Sequence, residues 1–417
     1  MSRKNLVIFI IITALIILGV GIFLLFFTAP PIENTNNTAV NKGTYAPFGT
    51  STDQSFPSTQ STSTVDTTGN QDDYKYVNNP ASPLIKISTT AIAGAEVFDR
   101  KIGKATPISI VRYMERATAH VQDFNPTTFS LSNSSNTTIP TIYQAWLSGS
   151  GVLAQSLAKD RETVRTFTST LSTTASTTSQ LIGSYLPDNI YTLSVSPKGN
   201  RIFYITKGST AQGYISNLDG TKKLAILNFP FNEWNTQWPN ETTITLTSRA
   251  SYNSTGFTYL LSATTGSMTK VLGNVLGLNT LTSPSLGYIM YSGSTYGTVA
   301  SGIYDVKKGA EVTLKNPIKT LAEKCVWSKL VKTTAYCAVP KTLPSGNYPD
   351  DWYQGNVQFN DNIYKIDLNK SSAEIIYTLP TDQSIDAINL FLDTKESNLY
   401  FTNKNNYYLW GLNLKGI

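Results

Sequence analysis

Few residues in this sequence have the type and spacing that catalysis requires. His120 is the only histidine, which excludes any site that needs two. The sequence contains no CxxC, HExxH, GxSxG or GxxxxGK-S/T pattern, the motifs of metal, hydrolase and phosphate sites. Ser156 and Lys159 form an isolated SxxK without its partner motifs. The sequence therefore predicts no catalytic residue, no metal site, no cofactor, and a protein that is not an enzyme.

Two segments combine aromatic rings with carboxylates in a way that suits recognition. They are KTLPSGNYPDDWYQGNVQFNDN at 341–362 and FPFNEWNTQWPN at 229–240. Aromatic side chains dominate binding hot spots, and neighbouring carboxylates can orient a ligand. The candidate binding face consists of Phe231, Glu233, Trp234, Tyr348, Asp350, Asp351, Trp352 and Tyr353. The alternative is that these rings fold back and fasten their own loops, and Trp238 and Trp327 are expected in the core.

The carboxylates of these segments leave an enzymatic alternative open. A glycan-processing or hydrolytic enzyme could use Asp350, Asp351 or Glu233 as a pair, provided that two carboxylates lie within about 10 Å. Surface loops disfavour the burial that would raise one pKa of such a pair.

The two cysteines flank a predicted hairpin. Cys325 and Cys337 lie on either side of a turn centred near Val331. Directly opposed residues of antiparallel strands have Cα atoms about 4.5 to 5.5 Å apart, which a disulfide accepts. The pair is either a structural disulfide, formed outside the cytoplasm, or two buried thiols.

The elements that must position these residues recur along the chain. A turn followed by an apolar run occurs as SGSGVLAQSL (148–157), SPKGNRIFYIT (196–206), WPNETTITLTS (238–248), SPSLGYIMYS (283–292), SKLVKTTAYCAV (328–339) and LDTKESNLYFT (392–402). A second strand pair follows as GYISNLDGTKKLAIL (213–227), YLLSATTGSMTKVL (259–272), GIYDVKKGAEVTL (302–314) and NIYKIDLNKSSAEIIYTL (362–379). Four-stranded antiparallel units at this spacing are typical of propeller blades.

The sequence therefore predicts an all-β protein, a β-propeller of four-stranded antiparallel blades over residues 81–417. Seven blades are counted, with six or eight as alternatives, at about 84–133, 138–171, 185–227, 231–272, 275–314, 320–379 and 385–417. The chain stops at YYLWGLNLKGI, where a third strand ends. Because an open edge invites aggregation, PLIKIS (83–88) or AEVF (95–98) is expected to complete the last blade.

The repeats resemble the WD40-like units of TolB-type propellers, whose blades carry a Ser-Pro-Asp-Gly turn before an apolar strand. The copy here is SPKGN, and SPSLG and LDTKESN are looser versions. The resemblance covers about 340 residues and implies the fold alone. The order of anchor, polar tether and propeller also resembles uncharacterised bacterial envelope proteins.

The N-terminus predicts a membrane anchor and a tether. Residues 6–28 are uncharged and mostly apolar, and as a helix they would span roughly 34 Å. Arg3 and Lys4 place residues 1–5 in the cytoplasm by the positive-inside rule. A cleaved signal peptide is the alternative, although prolines occupy the exit of the apolar run. Residues 29–80 are rich in Ser, Thr and Asn, so we expect a disordered tether, either plain or glycosylated.

Charge and composition limit the partners. The net charge of +6 comes from scattered Lys and Arg without a basic stripe, which argues against nucleic acid. We expect a single-pass protein of the cell membrane whose extracytoplasmic propeller is a binding or scaffold module for an envelope protein or glycan. A passive structural surface protein is the alternative.

Overall fold

The computed structural model describes residues 82–101, 104–171, 178–206 and 208–417. The predicted segments 1–5, 6–28 and 29–80 lie outside the described residues, so the anchor and the tether stay predictions. In the part that is described, no helix combines the length and the apolar character needed to cross a bilayer.

The described strands form seven four-stranded antiparallel sheets. Blade one contains β2 (Ile92–Arg100), β3 (Ile108–Glu115), β4 (Val121–Asn125) and β5 (Ser130–Ser135). Blade two contains β6 (Ile142–Ser148), β7 (Gly151–Leu157), β8 (Val164–Thr170) and β9 (Gly183–Tyr185). Blade three contains β10 (Ile190–Val195), β11 (Arg201–Thr206), β12 (Ala211–Asn217) and β13 (Leu224–Phe229). Blade four contains β14 (Trp234–Asn240), β15 (Thr243–Ser248), β16 (Thr255–Ser262) and β17 (Met268–Leu276).

The remaining three blades follow the same order. Blade five contains β18 (Asn279–Thr282), β19 (Tyr288–Thr295), β20 (Thr298–Asp305) and β21 (Ala310–Glu311). Blade six contains β22 (Cys325–Trp327), β23 (Thr334–Pro340), β24 (Asp361–Asp367) and β25 (Ser372–Thr378). Blade seven contains β26 (Ala387–Leu392), β27 (Asn398–Asn403), β28 (Leu409–Asn413) and β1 (Leu84–Lys86). The prediction of a seven-bladed all-β propeller is confirmed.

Local sequence explains the strand pairs. In the SPKGN turn between β10 and β11, the Ser196 hydroxyl accepts a hydrogen bond from the Arg201 backbone N–H at 3.1 Å. Gly199 has a φ of 70°, which a residue with a Cβ adopts only with strain. Its Cβ position would also lie 2.0 Å from the Ser148 hydroxyl of blade two. This turn therefore joins β10 and β11 in a hairpin and also allows blade three to pack closely against blade two.

The first strands of successive blades contact one another, as in the pairs β2–β6, β10–β14 and β14–β18. They therefore surround the centre of the ring. The apolar core lies between neighbouring blades: Phe203 and Ile215 of blade three pack with Leu246 of blade four. Trp238 and Trp327 are buried, as expected.

The ring is closed by the N-terminal strand. Leu84, Ile85 and Lys86 of β1 pair with β28, with Leu84 opposite Leu412. The prediction that 83–88 completes the last blade is confirmed, whereas 95–98 belongs to β2. Blade one accordingly begins at Ile92 rather than near 84.

Blade two extends further than the sequence indicates. Its predicted end at 171 omits β9, which has only three residues, all exposed. Because Gly-Ser-Tyr has neither an aliphatic residue nor an alternating pattern, the strand gives no periodic signal.

A disulfide joins the first two strands of blade six. Cys325 and Cys337 are directly opposed in the β22–β23 register. They are disulfide-bonded with a Cα–Cα separation of 4.0 Å. Both side chains are buried against Met290 and Ile366.

Candidate functional site

The two segments that the sequence singles out lie on one face of the ring, where residues of both line a shared groove. The β23–β24 connection, 341–360, contains the short helix α1 (Asp350–Tyr353). The Ser251 hydroxyl of blade four donates to Asp350 Oδ2 at 2.8 Å, and the Tyr252 backbone N–H donates to the same oxygen at 3.2 Å. The long connection of blade six therefore reaches the β15–β16 connection of blade four. We call this side of the ring the cavity face.

A cavity of about 770 Å³ lies at the centre of this face. Its walls come from the first strands of blades two to five, the 3₁₀ helix Ala322–Lys324 and Tyr353 of α1. A side groove of about 740 Å³ adjoins it, and Arg249 and Tyr353 line both. Glu233 and Phe231 line the side groove.

One wall of the central cavity carries an ionic cluster. The Tyr191 hydroxyl donates to Glu233 Oε2. Arg249 Nη1 donates to the Tyr191 oxygen at 2.7 Å and lies 3.5 Å from Glu233 Oε2. Burial, followed by the hydrogen bond to Glu233, raises the pKa of Tyr191, so its hydroxyl keeps its proton at neutral pH. The cluster thus presents a neutral phenol between opposite charges.

A second cluster stands at the blade-five and blade-six side of the cavity. Asn279 Nδ2 donates to Glu323 Oε1 at 2.9 Å and to the Tyr353 oxygen at 2.9 Å. The Tyr353 hydroxyl in turn donates to Glu323 Oε1 at 2.7 Å. Burial raises the pKa of the Glu323 carboxyl to about 7. The three groups form a closed triangle in which both donors converge on one carboxyl oxygen.

Uncharged polar groups and rings complete the central cavity. The amides of Gln144 and Asn235 are exposed and make no hydrogen bond to the described residues. Trp146 and Tyr143 are half-buried beside them. Planar amides present both donors and acceptors, so they can pair with hydroxyl groups of a ligand. Among the described residues, no group of three or more His, Cys, Asp or Glu is placed to hold a metal ion.

The structure corrects the role of three predicted face residues. Trp234, Tyr348 and Trp352 are at most 3% exposed. Trp352 stacks on Phe359 at 6.0 Å between ring centroids, and its Nε1 donates to Asp386 at 2.8 Å. Their own packing covers these rings, although Trp234 is also one of the residues that line the central cavity. The alternative in which they fasten their loops describes them correctly.

The two loop aspartates also serve the loop. Asp350 is occupied by Ser251 and Tyr252 as described above. Asp351 Oδ2 accepts the Asn347 backbone N–H at 2.7 Å, within the same connection. The carboxylates that border open space on this face are instead Glu323, in the central cavity, and Glu233, in the side groove. A ligand-binding role for Glu233, for Phe231, which is 42% exposed, and for Tyr353, which is 39% exposed, stays a prediction.

Several residues of the site were not identified by sequence analysis. Tyr191, Arg249, Asn279 and Glu323 are absent from the predicted face. One signal was present, since an acidic residue lies one or two positions before the first strand of blades four, six and seven. These residues are Glu233, Glu323 and Asp386.

Comparisons with known proteins give matches among solved structures only. The chain matches no protein-family model, and no curated protein is significantly similar to it in sequence. The structure is similar to oligogalacturonate lyase from Vibrio parahaemolyticus, with 10% identity, a TM-score of 0.47 and coverage of 79% of this chain and 97% of that chain. It is also similar to the propeller domain of the Trilobed protease from Pyrococcus furiosus, with 11% identity, a TM-score of 0.48 and coverage of 78% and 97%. TolB from Acinetobacter baumannii matches with 12% identity, a TM-score of 0.38 and coverage of 76% and 79%.

These matches correct the prediction that the protein is not an enzyme. An oligogalacturonate lyase, a puromycin hydrolase and an acylaminoacyl peptidase are all among the similar structures. The propeller fold without familiar catalytic motifs therefore does not exclude catalysis. At identities of 10% to 12% and TM-scores below 0.5, these matches assign no activity to this chain. The chain is a seven-bladed β-propeller, similar in fold to TolB and to other propeller proteins.

Proposed function

We propose that this protein is a single-pass membrane protein whose propeller binds a glycan of the cell envelope in its central cavity. The observation that carries the proposal is the lining of that cavity. Half-buried rings stand beside amides that have no partner in the described residues. The charged groups of the lining are few: Arg249, which is paired with Glu233, and Glu323, which accepts hydrogen bonds from neutral groups.

A glycan fits this lining better than a charged or apolar ligand does. Sugar rings offer C–H faces that pack on aromatic side chains, and their hydroxyls donate and accept hydrogen bonds at once. Gln144 and Asn235 supply matching donors and acceptors, and Trp146 supplies an aromatic surface. The side groove lined by Phe231 and Tyr353 continues from the central cavity and gives room for further sugar units.

The membrane part of the proposal rests on the sequence. The apolar run 6–28 is long enough to span a bilayer, and the polar segment 29–80 would hold the propeller on the order of 40 Å from it. Alkaline extraction of membranes should leave the full chain in the pellet, and protease added to intact cells should cleave it. Release of the chain by alkali would contradict the anchor.

Glycan binding is tested with the full-length chain in mild detergent on an array of neutral and acidic oligosaccharides. Gln144→Ala combined with Asn235→Ala should weaken binding about 30-fold, since each hydrogen bond contributes about 1 kcal/mol. Tyr296→Ala is the matched control, because Tyr296 lies fully exposed in the β19–β20 turn outside the cavity lining. It should bind as the wild type does. Retention of peptides instead of oligosaccharides, or equal binding by the double variant, would overturn the proposal.

A further inference from the structure

We propose that Glu323 acts as a hydrogen-bond donor to a glycan in the central cavity and that glycan binding there is tightest when its carboxyl group is protonated. The inference rests on the proposed function, because it states how the same cavity holds its glycan. Three features carry it: the position of the donors around Glu323, the charges that face it, and the open side of its carboxyl group.

The donors determine which oxygen carries the proton. Asn279 directs one N–H at Glu323 Oε1 and the other at the Tyr353 oxygen. The Tyr353 hydroxyl, having accepted that bond, donates its own proton to Glu323 Oε1. An oxygen that accepts two hydrogen bonds does not also carry the acid proton. The proton of the neutral carboxyl therefore resides on Oε2.

The second oxygen is available to a ligand. Glu323 lines the central cavity, and no hydrogen bond joins its Oε2 to any group of the described residues. Oε2 is also not among the fully buried side-chain atoms that lack a hydrogen-bond partner in the described part of the chain, so it is not sealed off from the cavity. A protonated Oε2 thus presents a single O–H donor to the cavity, in a position fixed by the two bonds to Oε1.

The surrounding charges allow the neutral form near pH 7. Burial raises the pKa of Glu323 to about 7, with Asp386 adding a smaller increase. Lys324 and Lys404 oppose this rise. Lys324, however, is held by Asp361 and Asp386, and Lys404 donates to the Trp352 carbonyl at 2.8 Å. Arg249 lines the same cavity, acts electrostatically on Tyr353 and is paired with Glu233.

The sign of the pH dependence follows. Below about pH 7 Glu323 is neutral and donates to a sugar oxygen, whereas above it the carboxylate has lost that donor and resists enclosure by a ligand. Loss of one such hydrogen bond corresponds to about tenfold in affinity. Binding should therefore be about tenfold weaker at pH 8.5 than at pH 5.5.

The test is calorimetric titration of the full chain with cellotetraose, chitotetraose and maltotetraose at both pH values. Glu323→Gln keeps a carbonyl for Asn279 and Tyr353 and presents an N–H donor to the cavity at every pH. It should bind at pH 8.5 as tightly as the wild type does at pH 5.5. Glu374→Gln, an exposed change on the outer strand of blade six, should keep the wild-type pH profile.

A second variant and a ligand-free measurement separate a binding role from a structural one. Tyr353→Phe removes a bond that lowers the pKa of Glu323, so the midpoint of binding should move to higher pH. An infrared difference spectrum between wild type and Glu323→Gln should show a carboxylic-acid band that disappears near pH 7.

The outcomes distinguish the two proposals. Wild-type binding that does not change with pH, or a Glu323→Gln variant that keeps the wild-type profile, overturns the inference and leaves glycan binding intact. If none of the tetrasaccharides binds at either pH, the proposed function fails, and the inference about glycan binding fails with it. Absence of the infrared band below pH 7 overturns the assignment of the proton whatever the ligand.

Discussion

Lys324 is the most completely enclosed charge of the site. Its ammonium group lies 2.9 Å from Asp361, forms a second ion pair with Asp386, and donates to the Ala387 carbonyl at 3.0 Å, with all three charged side chains fully buried. These contacts join the 3₁₀ helix to β24 and to the start of blade seven. Asp386 also accepts the indole N–H of Trp352. A single ion cluster thus positions Glu323, its neighbour in sequence, and α1.

Replacement of the buried cation Lys324 should strongly lower the stability of the fold. Lys324→Met would leave two aspartates uncompensated in the interior, and the free energy of unfolding should fall by about 3–5 kcal/mol. Urea denaturation of the full chain measures it. Lys308→Met is the control, because Lys308 is exposed and lies 3.6 Å from Asp305. That change should cost less than about 0.5 kcal/mol. Equal stability of the two variants would show that the buried cluster contributes no net stabilisation.

At the scale of elements, the long β23–β24 connection determines the shape of the cavity face. Tyr348, Trp352 and Phe359 pack on Val299 of β20 and form a small core of their own. The connection therefore spans blade five, and its bonds through Asp350 reach blade four. Its aromatic residues differ in role according to direction: Trp352 faces the blades, whereas the adjacent Tyr353 faces the cavity.

This division predicts that substitution of a buried ring and of a partly exposed ring on the same face differ in their cost to stability. Trp352→Ala should lower the free energy of unfolding by about 3–5 kcal/mol, the usual cost of emptying a buried aromatic site. Phe231→Ala, which removes a partly exposed ring on the same face, should cost less than about 1 kcal/mol. Denaturation midpoints and the rate of proteolysis within 341–360 measure both. If the Trp352→Ala protein were as stable as the wild type, the packing role of Trp352 would be contradicted, and the residue would return to the candidate binding face.

At the scale of the whole molecule, stability depends on closing the ring. β1 brings the N-terminal end of the propeller to the C-terminal strand, where Leu84 enters the core shared by blades six and seven. Without it β28 would be an unpaired edge, the kind of edge that promotes aggregation. Ser88 adds to the closure, since its hydroxyl accepts the Leu409 backbone N–H at 2.8 Å.

A charged side chain in β1 should disrupt the pairing of β1 with β28 and so open the ring between these two strands. Leu84→Asp buries an unpaired carboxylate, so we expect a lower melting temperature and faster amide exchange in β28 than in β19. Leu131→Asp is the matched control, because Leu131 is exposed on the outer strand of blade one. It should melt as the wild type does. Unchanged exchange in β28 of the Leu84→Asp variant would contradict closure through β1.

The sequence by itself predicted four-stranded blades, counted seven of them with six or eight as alternatives, and limited the closing strand to 83–88 or 95–98. These features follow from local signals, namely turns such as SPKGN and alternating runs such as RIFYIT, and a blade is built from consecutive residues. The sequence also grouped the two aromatic segments into one candidate binding face.

Only the tertiary structure decided which side chains meet there. Asn279 and Tyr353 are 74 positions apart, and Ser251 and Asp350 are 99 apart, so their contacts exist only after the ring has closed. The direction in which an aromatic side chain of an irregular connection points likewise depends on the blades beneath it. Trp352 is buried, whereas the adjacent Tyr353 is partly exposed. Local propensity encodes strands and turns, but the pairing of distant residues around a cavity depends on the packing of whole blades.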